Sequence, residues 1–195
     1  IELVKGQVTA EPSSDDTDVT VDVDGASVTA KEPITITAGG TDEEGNPTEP
    51  TVTTTEPTAE VIISPDGDPD HTVVYTGCPE GKEYGIHSGK LTDEEKVEIK
   101  SGTEYDLEVE LGDNQKTNIE TDDTNPGTTT VTKGKDENGD PDGSIVIESK
   151  KPNNDITVGD TKYTTSDEET KLIVKPSTGS GSEGGEGEEG TGKPE

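Results

Sequence analysis

Residues 104–111, EYDLEVEL, set Tyr105, Leu107, Val109 and Leu111 at alternate positions against Asp106, Glu108 and Glu110. Successive side chains of a strand point to opposite faces, so this period buries one face and wets the other. The pattern recurs in VTVDVDG, with Val19, Val21 and Val23, and in PITITAG, with Ile34 and Ile36. Further candidate strands are AEVIIS (59–64), TVVYTG (72–77), KVEIK (96–100), TTTVTK (128–133), SIVIES (144–149), DITVG (155–159) and TKLIVK (170–175). Thirty-one threonines, β-branched yet tolerant of water, suit half-exposed strands. DG, GD, GN and NP dipeptides punctuate the runs at the spacing of an all-β domain. LTDEEKVEIK carries capping-box spacing at Thr92 and Glu95, but Val97 and Ile99 alternate, so at most one helical turn is expected before a strand.

The apolar supply limits how thick a core can be. Leu, Ile and Val number 33 in 195 residues, with no Phe, Trp or Met and four tyrosines. Seventeen of those aliphatics lie in residues 1–90 and sixteen in 91–175, enough for a thin core in each half. The expectation is an all-β fold of one or two small antiparallel β-sandwich (Ig-like) modules, with a parallel β-solenoid as the alternative. The modules would cover residues 1–90 and 91–175. The Thr/Pro-rich stretch 41–58 reads as an unstructured insertion, and the Gly, Ser and Glu run 176–195 as a disordered tail with nothing to bury. ITITAGGTDEEGNP (34–47) echoes TTTVTKGKDENGDP (128–141), and EVIISPDGDPDHTVV (60–74) follows SIVIESKKPNNDITV (144–158), which suggests a duplicated unit.

Charge narrows the partners. Forty-six acids face fifteen basic residues, all lysine, for a net charge of −31. Such a surface repels nucleic acid and anionic lipid and offers no guanidinium clamp for phosphate. Cations, basic protein surfaces and neutral sugars are the compatible partners. No apolar run is long enough to insert into a membrane, and the start at Ile1 reads as a processed form or fragment.

Few residues carry recognisable chemistry. Cys78 has no partner for a disulfide, and His71, Cys78 and His87 follow no zinc or Cys/His catalytic spacing. GSGSEG at 179–184 matches a dinucleotide fingerprint in letters only, because no helix can start there. A sugar-cleaving cleft is normally walled by aromatics, and this chain has no Trp or Phe; no catalytic residues are assigned. The most suggestive segment is KGKDENGDPDGSIVIE (133–148). Read from Asn138, it offers Asn138, Asp140 and Asp142 at calcium-loop positions 1, 3 and 5 and Gly143 at 6, with Asp136 as an extra oxygen. Ser149 stands where the closing acid belongs, and strands flank the loop. Two readings follow: a calcium site on Asp136, Asn138, Asp140 and Asp142, or the acidic tip of a hairpin. SPDGDPDH, with Asp66, Asp68, Asp70 and His71, is a weaker loop of the same kind, and Asp22 and Asp24 of VDVDG read as the wet side of a sheet.

The Thr-rich alternating strands, the NP and DG turns, the closing ITVGDTKYTTSDEETKLIVKPS and the following GSGSEGGEGEEGTG together resemble the modular extracellular β-domains of Gram-positive bacterial surface proteins. The resemblance is one of style and composition. It implies a secreted or cell-surface location and a non-enzymatic role as stalk, spacer or adhesion scaffold for an extracellular protein or a carbohydrate. A calcium-stabilised binding module and a carbohydrate-binding domain are the alternatives. The sorting motif of such families does not occur in the chain.

Overall fold

In a computed structural model of the chain, the described residues are 2–92, 94–100, 103–112, 115–122, 128–149, 155–164 and 170–176. Every regular element among them is a strand. β1 (Glu2–Leu3) and β2 (Gln7–Ala10) precede the hairpin of β3 (Val19–Val23) and β4 (Ala26–Ala30). Asp24 and Gly25 turn it with φ of 48° and 79°, the left-handed pair that a two-residue hairpin turn requires. β5 (Ile34–Thr37) with β6 (Thr51–Thr54), β7 (Thr58–Ser64) with β8 (Val73–Cys78), and β9 (Glu83–Gly85) follow. The chain continues through β10 (Ser88–Leu91), β11 (Lys96–Lys100), β12 (Asp106–Leu111), β13 (Gln115–Asp122), β14 (Thr128–Lys135), β15 (Pro141–Ser149), β16 (Asp155–Val158), β17 (Thr161–Thr164) and β18 (Thr170–Val174).

Successive hairpins alternate between layers. One layer is a nine-stranded sheet, ordered β1-β3-β4-β7-β8-β11-β14-β15-β18. The other consists of a four-stranded sheet, β2-β5-β6-β9, and a five-stranded sheet, β10-β12-β13-β16-β17. The order in each sheet follows the chain, so each hairpin lands beside the previous one in its layer. Among the described strands only β1–β3 and β10–β12 pair in parallel. The antiparallel, sandwich-like arrangement therefore holds, and the parallel solenoid is overturned: hairpins cross between layers in pairs of strands, so neighbours run in opposite directions.

Register explains how so few aliphatics suffice. Val19, Ala30, Val61, Tyr75, Val97, Val131, Ile147 and Leu172 face one another in an unbroken row across eight strands. A second row runs Val21, Val28, Ile63, Val73, Ile99, Thr129, Ser149 and Thr170. Cross-strand neighbours of this kind are the unit of sheet stability. Opposite them stand Ile34, Ile36, Val52 and Tyr84 of the four-stranded sheet and Leu107, Val109 and Ile119 of the five-stranded one, all buried in a single apolar cluster. The nine-stranded sheet crosses residue 90 without interruption, because β11 pairs antiparallel with β8.

Residues 41–58 are not wholly unstructured. β6 lies within them, with Val52 fully buried between Ile36 and Tyr84. One aliphatic among threonines gives no period to read, yet it is all that a four-residue strand needs when its partners fix the register. The region of the helix candidate forms a turn, Glu95 N donating to Thr92 O at 3.3 Å, before β11. Of the expected tail only Pro176 is described, and 177–195 lies outside the described residues.

Candidate functional site

The calcium candidate sits at the tip of the β14–β15 hairpin, where its oxygens bind the chain itself. Asp136 Oδ1 accepts from the amides of Asn138 (2.8 Å) and Asp140 (3.0 Å), and Asp136 N donates to Asp140 O (2.8 Å). Asp142 Oδ1 accepts from Ser144 N (2.9 Å) and Oγ (2.6 Å), which holds its carboxyl below the usual carboxylate range. Among the described residues no group of three or more His, Cys, Asp or Glu is placed to hold a metal. The tip between β5 and β6 repeats the geometry: Asp42 Oδ1 accepts from Glu44 N (3.0 Å) and Asn46 N (2.8 Å), and Asp42 N donates to Asn46 O (2.9 Å). The sequence echo is thus a shared tip chemistry, since β5–β6 lies in the four-stranded sheet and β14–β15 in the nine-stranded one. Asp136→Ala is expected to lower stability by about 1 kcal/mol through the two lost amide bonds. Denaturant melts should show the same loss with and without calcium; a loss confined to calcium-loaded protein would support the metal reading instead.

A second candidate lies where the two smaller sheets meet. Pro65, Asp66, His71, His87, Thr103 and Glu104 line a cleft of about 310 Å³. Pro65–His71 belongs to the β7–β8 turn, His87 joins β9 to β10, and Thr103 and Glu104 precede β12. Three distant segments thus bring both histidines of the chain to one place. Asp66 Oδ2 is 2.6 Å from His71 Nδ1, while Asp66 Oδ1 accepts from Asp68 N at 2.9 Å. His87 N donates to Glu49 Oε2 at 2.8 Å. Thr103 is 2% exposed, and its Oγ1 has no hydrogen-bond partner among the described residues. Two imidazoles, two carboxylates and an orphaned hydroxyl suit a polar or cationic group from a partner.

The hydrogen bond from Asp66 raises the His71 pKa above its ordinary value, and the same bond lowers that of Asp66. A raised histidine contributes stability that is complete below its unfolded pKa and is lost as pH climbs through the folded one. Asp66 contributes above its unfolded pKa and loses that contribution as pH falls through its folded value. Stability should therefore decline as pH rises past the ordinary histidine value of about 6.5 and through the raised folded value of His71. His71→Asn should remove that slope in urea melts across the range; a slope that survives would assign the titration to another group.

Beneath the cleft lies a buried polar cluster. The Tyr75 ring is 4.4 Å from the Tyr84 ring and 6.3 Å from the Tyr105 ring between centroids, so one side chain of the large sheet meets both small sheets. The hydroxyls of Tyr75 and Tyr105 are hydrogen-bonded to each other. Gly89 passes beside both hydroxyls, and a Cβ there would strike them. Lys82 forms an ion pair with the fully buried Glu95 side chain, donates to Lys90 O, and lies 4.6 Å from the Tyr84 centroid and 5.1 Å from that of Tyr75. Burial pulls the Lys82 ammonium below its ordinary pKa, opposed by Glu95. Cys78 is buried, its Sγ directed at Tyr75 O (3.5 Å), and burial raises its thiol pKa.

Sequence spacing set Asp66 and His71 in one acidic loop but joined neither to His87 or Thr103, and it brought together none of Lys82, Glu95 and the three tyrosines. A Lys and a Glu thirteen residues apart in an acidic chain carry no local signal. Cys78 is not with the histidines: it faces the core, whereas they line the cleft. Neither a protein family, nor a characterised protein, nor a solved structure matches this chain. The class defined by geometry is an acidic, all-β, sandwich-like protein with a polar cleft at the seam between its two smaller sheets.

Proposed function

We propose that this protein is a non-enzymatic structural module of a secreted or cell-surface protein, a spacer that also presents loops to an extracellular partner. The observation that carries this reading is the placement of β1 and β18 at opposite edges of the nine-stranded sheet. At about 4.8 Å between strands, eight steps hold them roughly 40 Å apart. A spacer requires a defined separation of that kind, and the unbroken rows of facing side chains from β3 to β18 stiffen it. Among the described residues no Ser, Thr or Cys is hydrogen-bonded to His71 or His87, which favours a binding role for the cleft over nucleophilic catalysis. A protein partner is favoured over a carbohydrate because Tyr75, Tyr84 and Tyr105 are all buried and give no exposed stacking row.

Antibodies raised against the folded protein should label intact, unpermeabilised source cells or the secreted fraction. Labelling only after permeabilisation would overturn the location. Spin labels on Glu2 and Lys171 should report a single separation near 40 Å; a broad distribution would remove the spacer role.

A further inference from the structure

The large hydrophobic side chains most exposed among the described residues are Val4, at 85%, and Ile173, at 52%. They sit at opposite ends of one sheet. Val4 directly follows β1, and Ile173 is in β18, the two edge strands of the nine-stranded sheet. An edge strand presents unpaired backbone groups that another strand can complete. Exposed apolar residues confined to two such edges raise the question of what each edge meets.

Direction and charge both answer that they meet each other. β1 runs with β3, and every later pairing in this sheet is antiparallel, so β18 runs opposite to β1. A second copy translated across the strands would therefore bring its β1 alongside β18 in antiparallel sense, as β11 lies against β8 within the chain. Leu3 and Val174 both pack against the core, whereas Glu2, Val4, Ile173 and Lys175 are exposed. Setting Leu3 opposite Val174 in an antiparallel pair places Val4 opposite Ile173 and Glu2 opposite Lys175. Core face then continues core face, the two exposed apolar side chains cover each other, and an acid meets a base.

The electrostatics of the edges agree. Glu2 pairs in register with Asp22, and like charges side by side on one face are unfavourable. The β18 edge carries Lys171 and Lys175 in a chain of net charge −31. Lys171 is 3.9 Å from Glu148, and both lysines are exposed. We propose that the protein self-associates head to tail, the β1 edge of one copy adding to the β18 edge of the next in the register Leu3 opposite Val174. Such an interface is heterologous and does not close, so it builds short linear arrays.

The pairing is short and copies repel through their net charge, so the association is weak and strengthens with salt as that repulsion is screened. Sedimentation equilibrium from about 10 µM to about 1 mM at one fixed moderate salt should show the mean mass climbing above the 20.4 kDa monomer without levelling at a dimer. Glu2→Lys or Lys175→Glu alone should weaken association by several-fold, and the two together should restore it. Val4→Cys protein mixed with Ile173→Cys protein should form a disulfide-linked heterodimer on mild oxidation, while either alone should not cross-link; buried Cys78 does not compete. A monomer at every concentration would overturn the proposal. So would homodimers from a single variant, or association indifferent to both charge reversals, since these assign contact to another surface.

Discussion

Glu95→Ala is expected to destabilise the fold by about 3–5 kcal/mol, because it strands the Lys82 ammonium in a site built to bury a pair. The Lys82 side chain is 10% exposed and that of Glu95 is 0% exposed, so water reaches neither group well enough to replace the lost partner. Tyr75 and Tyr84 offer Lys82 their ring faces, and Lys90 offers a carbonyl, which softens the loss without removing it. The matching double variant, Lys82→Met with Glu95→Leu, should recover most of the stability, since exchanging a buried pair for apolar side chains is often neutral or better. Urea melts of the two variants decide the matter. Cys78, the sole thiol, adds a local readout, because its labelling rate in native buffer should rise sharply in Glu95→Ala as the cluster opens. A single variant within about 1 kcal/mol of the parent would show that the pair is not the anchor its burial suggests.

Tyr75→Ala should be comparably severe, about 3–5 kcal/mol, for a different reason. Tyr75 is fully buried near the centre of the row that runs from Val19 to Leu172, and its ring meets both Tyr84 in β9 and Tyr105, which leads into β12. Its removal empties the point where three sheets meet. Tyr75→Phe keeps the packing and loses only the hydroxyl bond to Tyr105, whose own hydroxyl retains a contact to Gly85 O at 3.4 Å. That variant should lose only about 1 kcal/mol. Equal losses for Ala and Phe would mean that the hydrogen bond, rather than the ring, organises the junction.

The strands that carry two or more aliphatics at alternate positions are legible in the residue pattern alone. Val19, Val21 and Val23 are buried and Asp22 is exposed, as the period requires, and Leu107, Val109 and Leu111 repeat the pattern. β2, β4, β6, β9, β10, β13 and β17 are not legible in this way. QVTA, ASVTA, TVTT, EYG, SGKL, QKTNIETD and TKYT each hold a single large apolar residue, and all but QKTNIETD are short. Their neighbours hold them in place, through ladders such as Ile36 to Val52 to Tyr84. The acidic tip at Asp136 is legible as a turn, but the use of its carboxylates is not. A calcium loop and a self-bonded hairpin tip demand nearly the same residue types, and only the direction of each carboxylate separates them.

Taken alone, the sequence determined an all-β protein with one wet face per strand, a lean core and a surface that repels anions. Period, β-branching and net charge are local or additive properties, and they survive without knowledge of partners. Tertiary structure decided what depends on distant segments meeting. It joined both halves through β8 and β11, set hairpins alternately into two layers, and gathered Tyr75, Lys82, Tyr84, Glu95 and Tyr105 at one seam. It also set Val4 and Ile173 at opposite edges of a single sheet. Those arrangements come from register across pairs far apart in the chain, and no local pattern of residues encodes which strand a given strand will meet.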